Sequence, residues 1–447
     1  MPSLCYTGAR SSMSTLRLIP RFIWIALVFA TVIPRYLWRR IRAGRLDVHG
    51  RDRLRGDVLA TTLEKLGATF VKFGQILGSR ADLLPPGMIE SLSRLHDAVP
   101  PASFEVIEQV LDVELTETDR GRIEHVEREP VAAASVAQVH AGRLASGEKV
   151  AIKVQRPEAR SQIERDLAIL SMGARVLDLI PSVHLLALPG AVERFGHALA
   201  NQLDFRLEAA NNRRLAENFT GFKGVRVPDL FDELCTERVL VMEFIEGVKA
   251  TETEKVQAGR KIRRRLAARG AEAILKMVFR DGFVHADMHP GNILLQDDGT
   301  LVFIDLGMVA EIPPDLMSPW IQTFQALGGN DGKAAARLFY VYSPFVATAD
   351  YRAYEADTIA FFDRFDGKVL GEVEVSEIVA GMMNILRRHH VQVDPVFTVV
   401  NLGVVVAEGL GKQLDPDIDL VQMAMPYLAE AAANAPPGRA PNRDIPA

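Results

Sequence analysis

Two carboxylates and one amide stand at a spacing that suits phosphoryl transfer. Residues 283–292 read FVHADMHPGN, and residues 303–307 read FIDLG. In a His-x-Asp-x-x-x-x-Asn loop the Asp, here Asp287, accepts the proton of an attacking hydroxyl, and the Asn, here Asn292, reaches a magnesium ion across the same tight loop. A further carboxylate must meet the ion that bridges the β- and γ-phosphates. Asp305 in Asp-Leu-Gly suits that role, and Gly307 lets the backbone turn away. The intervening ILLQDDGTLVFID is two short apolar strands about Asp298-Gly299, a hairpin signal that predicts Asn292 and Asp305 side by side. Either motif alone arises often by chance, but their occurrence in order around a hairpin is far more specific. His289 and Pro290 are expected to shape the loop, and His285 to support it by hydrogen bonding rather than by binding metal.

These groups need elements to hold them. Val150-Ala151-Ile152-Lys153 predicts a buried strand whose alternation turns Lys153 away from Ile152 and toward a cleft, where a lysine contacts the α- and β-phosphates and pairs with a helix glutamate. Glu208 in QLDFRLEAANN is the expected partner, and Asp204, four residues earlier, shares its helix face. A solvated surface helix is the competing reading of that segment. Strands at 123–126, 136–143, 150–155, 225–231 and 238–243 predict a five-stranded small lobe, interrupted by helices at 157–180 and 191–218. Residues 244–247 read as a hinge, with Glu243 before them as a candidate nucleotide contact. A helix over 261–281 delivers the catalytic loop, and helices fill most of 313–428. The fold class expected is α+β, a protein-kinase-like two-lobed fold with an N-terminal helical extension and a largely helical C-lobe.

With 48% hydrophobic and 24% charged residues, the 447-residue chain has material for two or three folded cores. The net charge of −5 carries no nucleic-acid signature. It hides an asymmetry, because residues 1–56 hold eleven arginines against Asp47 and Asp52. Within that basic stretch, residues 22–33 (FIWIALVFATVI) form an apolar run short of the roughly 20 residues a membrane crossing asks for. A segment lying in or dipping into an anionic membrane surface is expected, with Trp and Arg at the headgroups; a transit peptide and a helix buried against the protein are the alternatives. Cys5 and Cys235 cannot build a disulfide framework, which favours a reducing compartment. A second apolar stretch, 396–407, is cut by Asn401, Gly403 and Glu408 and reads as a buried core helix. The division expected is a basic segment (1–56), a helical extension (57–120), an N-lobe with its insert (121–250), a C-lobe (251–430) and a disordered tail rich in Pro and Ala (431–447).

One standard part is missing. No G-x-G-x-x-G precedes Lys153, and the corresponding hairpin carries Ala132, Ala133, Ala134 and Ser135. Alanine adds a methyl and stiffens a turn that glycine would open to phosphates, so the nucleotide must be held differently. This loop, the KFGQ at 72–75, VAIKVQRP around Lys153, the Glu-Ala-x-Asn at Glu208, Ala209 and Asn211, HADMHPGN and FIDLG together resemble the UbiB family of atypical kinases, also called ABC1 or ADCK. The resemblance covers roughly residues 57–430.

It implies ATP and Mg2+ as cofactors, with Lys153, Glu208, Glu243 and Ala132 to Ser135 at the nucleotide and Asn292 and Asp305 at the metal. Asp287, Lys153 and Lys72 would be catalytic, and Lys72, Gln75, Gln202 and Asp204 regulatory. In this family the Lys-x-Gly-Gln helix packs over the cleft where a peptide would lie. An ATPase or small-molecule phosphotransferase is therefore implied rather than a protein kinase, working at a membrane in support of isoprenoid quinone (ubiquinone-type) biosynthesis or lipid homeostasis. The implied partners are anionic lipid, lipid-like or quinone-precursor molecules and quinone-biosynthesis proteins, at the bacterial cytoplasmic side or in a mitochondrial matrix. The chain departs from the family at Gln202, where Glu is usual, which predicts a hydrogen bond to Lys72 in place of an ion pair and a weaker lock. Family members often carry a hydrophobic C-terminal segment where this sequence has its polar tail, so membrane contact is expected to rest on residues 22–33 and the arginines around them. A catalytically weak nucleotide-binding scaffold and an antibiotic- or choline-type phosphotransferase are the rival readings. A quinone hydroxylase lacks support, with neither a flavin-binding glycine motif nor a two-His, one-carboxylate set.

Overall fold

Alternating burial along 149–155 explains the small lobe. Val150, Ile152 and Val154 are fully buried and pack with Ile107, Leu111, Val239 and Val241, while Lys153 faces the other way. The computed structural model describes residues 19–78, 84–95, 100–179, 188–347, 350–366 and 374–446. Within these, β1 (Ile123–Ala133), β2 (Ala137–Leu144) and β3 (Lys149–Gln155) form an antiparallel sheet that β5 (Val239–Glu243) completes. The sheet has four strands, not five. The segment expected as its remaining strand holds only the short β4 (Val225–Arg226), which pairs in parallel with β9 (Leu301–Phe303) of the other lobe. It thereby joins a second sheet of order β4-β9-β8-β6, with β6 at Val248–Lys249 and β8 at Ile293–Leu295. Strand β7 (Phe283–His285) pairs with β10 (Val309–Glu311).

The insert also differs from expectation. The helix read over 191–218 is two helices, Leu188–Asn201 and Phe205–Asn218, because the Asp204 side chain accepts the Arg206 amide and caps the second one. The helix that delivers the catalytic loop runs Arg260–Lys276, then widens into a π-turn at Met277–Asp281 that ends on Gly282 at φ +59°. Helix Pro395–Leu414 packs against Arg260–Lys276 within the C-lobe core, in keeping with the buried reading of 396–407.

At the N-terminus the apolar run belongs to a longer helical stretch, Ile19–Ala30 continued by Val32–Arg42. Ile19–Arg42 and Pro395–Leu414 are both long and apolar enough to cross a membrane, by length and composition only. The first is mostly exposed, with Trp24, Leu27 and Phe29 open to solvent. Its inner face is nonetheless seated: Ile25 and Val28 pack on Leu63, Leu66, Phe70 and Ile169. Arg21 reaches the fully buried Asp166 with bonds of 2.7 and 2.9 Å and donates to the Leu66 carbonyl. Cys5 and the rest of 1–18 lie outside the described residues, as do 79–83 and 96–99 of the predicted extension.

Residues 435–446, expected to be disordered, lie against the C-lobe. The Arg439 and Asn442 amides donate to the Asp315 and Val341 carbonyls at 2.8 Å, the Asn442 side chain to Tyr342 and Ser343, and Arg443 to Ser343. The docking groups belong to three polar residues of the segment, Arg439, Asn442 and Arg443, which its Pro- and Ala-rich composition hides.

Candidate active site

Three elements converge on one ion cluster. From β3, the Lys153 ammonium meets both Glu208 carboxylate oxygens at 2.8 Å and Asp305 Oδ1 at 3.2 Å. Phe205, in the first turn of the Glu208 helix, presents its ring face to the same ammonium at 5.4 Å. Burial alone would lower the Lys153 pKa, but the carboxylates of Asp305 and Glu208 hold it above its ordinary value. Burial raises the Glu208 pKa against the pull of Lys153. Asp305 is held well below the usual carboxylate range: burial opposes this, and the charges of Lys153 and Lys72 outweigh it.

The hairpin works as its residues suggest. Ile293 pairs with Phe303, the Ile304 amide donates to the Asn292 carbonyl at 2.9 Å, and Asn292 and Asp305 stand at the open end. Gly299 turns at φ +90°. Asp305 itself sits at φ +60°, a left-handed conformation that Asp tolerates better than most residues and that is found at functional sites. The Asp305 segment is also tied to the Glu208 helix, since the Asn211 amide donates to the Leu306 carbonyl at 2.9 Å. Sequence spacing marked Asn211 as part of a motif without disclosing this tether.

Around Asp287 the loop is self-supporting. Asn292 Nδ2 donates to the Asp287 carbonyl at 3.1 Å, and the Asp287 amide donates to His285 Nδ1 at 3.2 Å. With Nδ1 accepting, buried His285 is neutral, and burial lowers its pKa. His289 Nδ1 accepts the Gly291 amide and holds the turn.

Lys72 closes the group from above. Its ammonium lies 3.9 Å from Asp287 Oδ2, so the KFGQ helix (Ala68–Gly78) sets a cation beside Asp287, whose side chain stays 39% exposed. A Cβ at Gly74 would press on the Leu95 and Leu63 side chains at 2.4 and 2.6 Å, so glycine lets the helices of the extension close on one another. Lys72 and Thr69 share a small cavity with Ser135 of the alanine loop, whose buried hydroxyl has no hydrogen-bond partner among the described residues. Ala132 and Ala133 pair with Val139 and Gln138, and the Ala134 amide donates to Ala137, making a tight turn.

Four expected residues are placed elsewhere. Asp204 caps its helix and binds Arg206 instead of turning toward Lys153. Gln75 donates to the Leu95 carbonyl at 3.1 Å and holds the extension together. Among the described residues, Gln202 makes no hydrogen bond to Lys72, and its buried Nε2 has no partner. Glu243 pairs through its side chain with Arg226.

The donor set fits magnesium in kind. Asn292 uses its Nδ2 internally, which leaves the amide oxygen, and Asp305 keeps Oδ2 clear of the Lys153 and Gly307 contacts on Oδ1. Oxygen donors of this type suit a hard divalent cation.

Residues 94–339 match the model of the ABC1 atypical kinase-like domain, and residues 359–419 match that of the UbiB helical domain. The chain belongs to the ABC1 atypical kinase-like family. Similar proteins include one named probable protein kinase UbiB of Aeromonas hydrophila, 35% identical over 381 residues, or 84% of this chain and 70% of that protein. Another of that name, from Pseudomonas aeruginosa, is 33% identical over 410 residues, covering 91% of this chain and 75% of its own length. Among solved structures, the erythromycin complex of Rv3197 from Mycobacterium tuberculosis aligns with a TM-score of 0.52 over 80% of this chain and 94% of its own, at 23% identity. That likeness shows the fold, a kinase-like arrangement of mixed helices and sheets with N-terminal helices. In this ABC1 chain, then, Lys153, Glu208 and Asp305 are already joined, and Lys72 stands over Asp287.

Proposed function

We propose that the chain binds Mg-ATP between the lobes and transfers or hydrolyses the γ-phosphoryl group, acting on water or a lipid-like hydroxyl rather than on a protein. The observation that carries this reading is the joined Lys153, Glu208 and Asp305 cluster with the Lys72 ammonium beside Asp287. The Lys72 helix narrows the approach to Asp287, and a small hydroxyl needs only the space left open beside the carboxylate.

In the reaction Asp287 takes the proton of the attacking hydroxyl. The acceptor oxygen bonds the γ-phosphorus as the bond to the bridging oxygen breaks, and ADP departs with that oxygen. Lys153, positioned by Glu208, balances charge on the α- and β-phosphates. Magnesium, held by Asn292 and Asp305, would supply charge neutralisation between the β- and γ-phosphates. Exposed Trp24, Leu27 and Phe29, followed by Arg35, Arg39, Arg40 and Arg42, support placement at an anionic membrane surface. The UbiB name of the relatives supports a role in ubiquinone-type quinone biosynthesis.

The test is ATP turnover by the purified chain with and without anionic liposomes and phenolic quinone precursors. Asp287→Asn is expected to abolish turnover while a fluorescent ATP analogue still binds. A protein that binds no nucleotide, or that turns it over equally well without Asp287, would overturn the reading.

A further inference from the structure

A second chamber lies behind the catalytic loop, away from the nucleotide cleft. Five C-lobe helices and the π-turn line a recess of about 410 Å³ that opens to solvent at one side, with Phe279, Phe324, Val379, Val404 and Leu428 among the walls. Native cores hold few voids larger than a water molecule, and this volume falls in the roughly 300–1,000 Å³ range of small-molecule sites. No lining residue is charged. Gln325 alone carries a hydrogen-bonding side chain, and it is exposed at the rim together with Met425. A chamber lined in this way offers water no partners, and apolar cavities of such composition take up hydrocarbon instead.

We propose that this chamber binds the hydrocarbon chain of a single-chain lipid, with the polar head at the rim beside Gln325. The walls choose the ligand class. A nucleotide, sugar or other polar molecule would bury hydrogen-bonding groups with nothing to meet them, at a cost no contact here offsets. An aliphatic chain needs only dispersion and exclusion of water, which Phe279, Val379, Val404 and Leu428 provide. Phe279 belongs to the π-turn that leads through Gly282 into β7, so the occupant rests against the segment that delivers His285 and Asp287. The site is independent of what the cleft transfers.

The experiment uses the full chain and a fluorescent polyene fatty acid. The unmodified protein should bind the probe saturably, and Ala424→Trp and Val379→Trp, which place a ring inside the chamber, should weaken it about tenfold or more. Ala429→Leu fills less space and should weaken binding about threefold, which decides the matter if the larger residues disturb folding. The probe should raise the melting temperature of the unmodified chain and not that of the filled variants. Affinity for a fluorescent ATP analogue should be the same in all of them. Because the exposed N-terminal helix could take up the probe too, Leu27→Ser with Phe29→Ser is the control and should leave binding within about twofold. Probe binding that survives chamber filling, or that vanishes in the Leu27 and Phe29 control, would overturn the proposal.

Discussion

Lys153 and Lys72 reach the same group of carboxylates from opposite sides, and they are held in different ways. Lys153 is a buried strand residue with three contacts at 2.8, 2.8 and 3.2 Å, fixed by the sheet below and the Glu208 helix above. Lys72 has, among the described residues, one ion pair, at 3.9 Å, and belongs to a helix whose packing lies mostly within the extension. The first lysine is part of the frame. The second is a latch on a separate body.

Four outcomes would sharpen or break that contrast. The largest is expected for Lys153→Ala, which leaves the buried Glu208 facing Asp305 with no cation between them. Removing one partner of a buried pair typically costs about 3–5 kcal/mol, so the urea midpoint should fall sharply and nucleotide binding disappear. Lys72→Ala should cost only about 1 kcal/mol or less while turnover changes several-fold with nucleotide affinity retained. Equal stability losses in the two variants would erase the distinction.

A smaller effect comes from pH in the metal-free protein. The Asp305 pKa is depressed in the folded state, so the stability tied to its charge is complete above the ordinary carboxylate pKa and is lost as pH falls through the folded value. Unfolding midpoints of the unmodified chain should therefore decline more steeply below about pH 4 than those of Asp305→Asn. Parallel curves would mean that Lys153 does not hold Asp305 in solution. The smallest change is expected for Gln202→Glu, because no bond joins that side chain to Lys72. Turnover should shift by less than in Lys72→Ala, and a larger shift would show that the latch is governed from the break between the insert helices.

What could be read from the sequence depended on how far each contact reaches along the chain. The catalytic loop and its hairpin were legible because Asp287, Asn292, Asp298, Gly299 and Asp305 act within a span of nineteen positions. Lys153 was legible through strand alternation, and Glu208 through its helix motif. The fate of Asp204 was not, because a capping residue and a face residue have the same spacing to Glu208 and differ only in where the helix starts. β4 deceived for another reason: two residues of strand carry no pattern, and their partner β9 lies in the other lobe. The apolar walls behind Phe279 gave no signal either, since residues lining a chamber and residues filling a core obey the same periodicity.

The seat of the first helix has a consequence for the order in which the protein is made. Arg21 and Asp166 are 145 residues apart. At a synthesis rate of roughly 5–20 residues per second, Asp166 is joined to the chain about 7–30 seconds after Arg21. Throughout that interval Ile25, Val28 and their apolar neighbours have no protein surface from the insert to cover them. Leu63, Leu66 and Phe70 of the extension are made before Asp166, so they are the first part of the fold able to cover Ile25 and Val28, and the pair of Arg21 with Asp166 forms last.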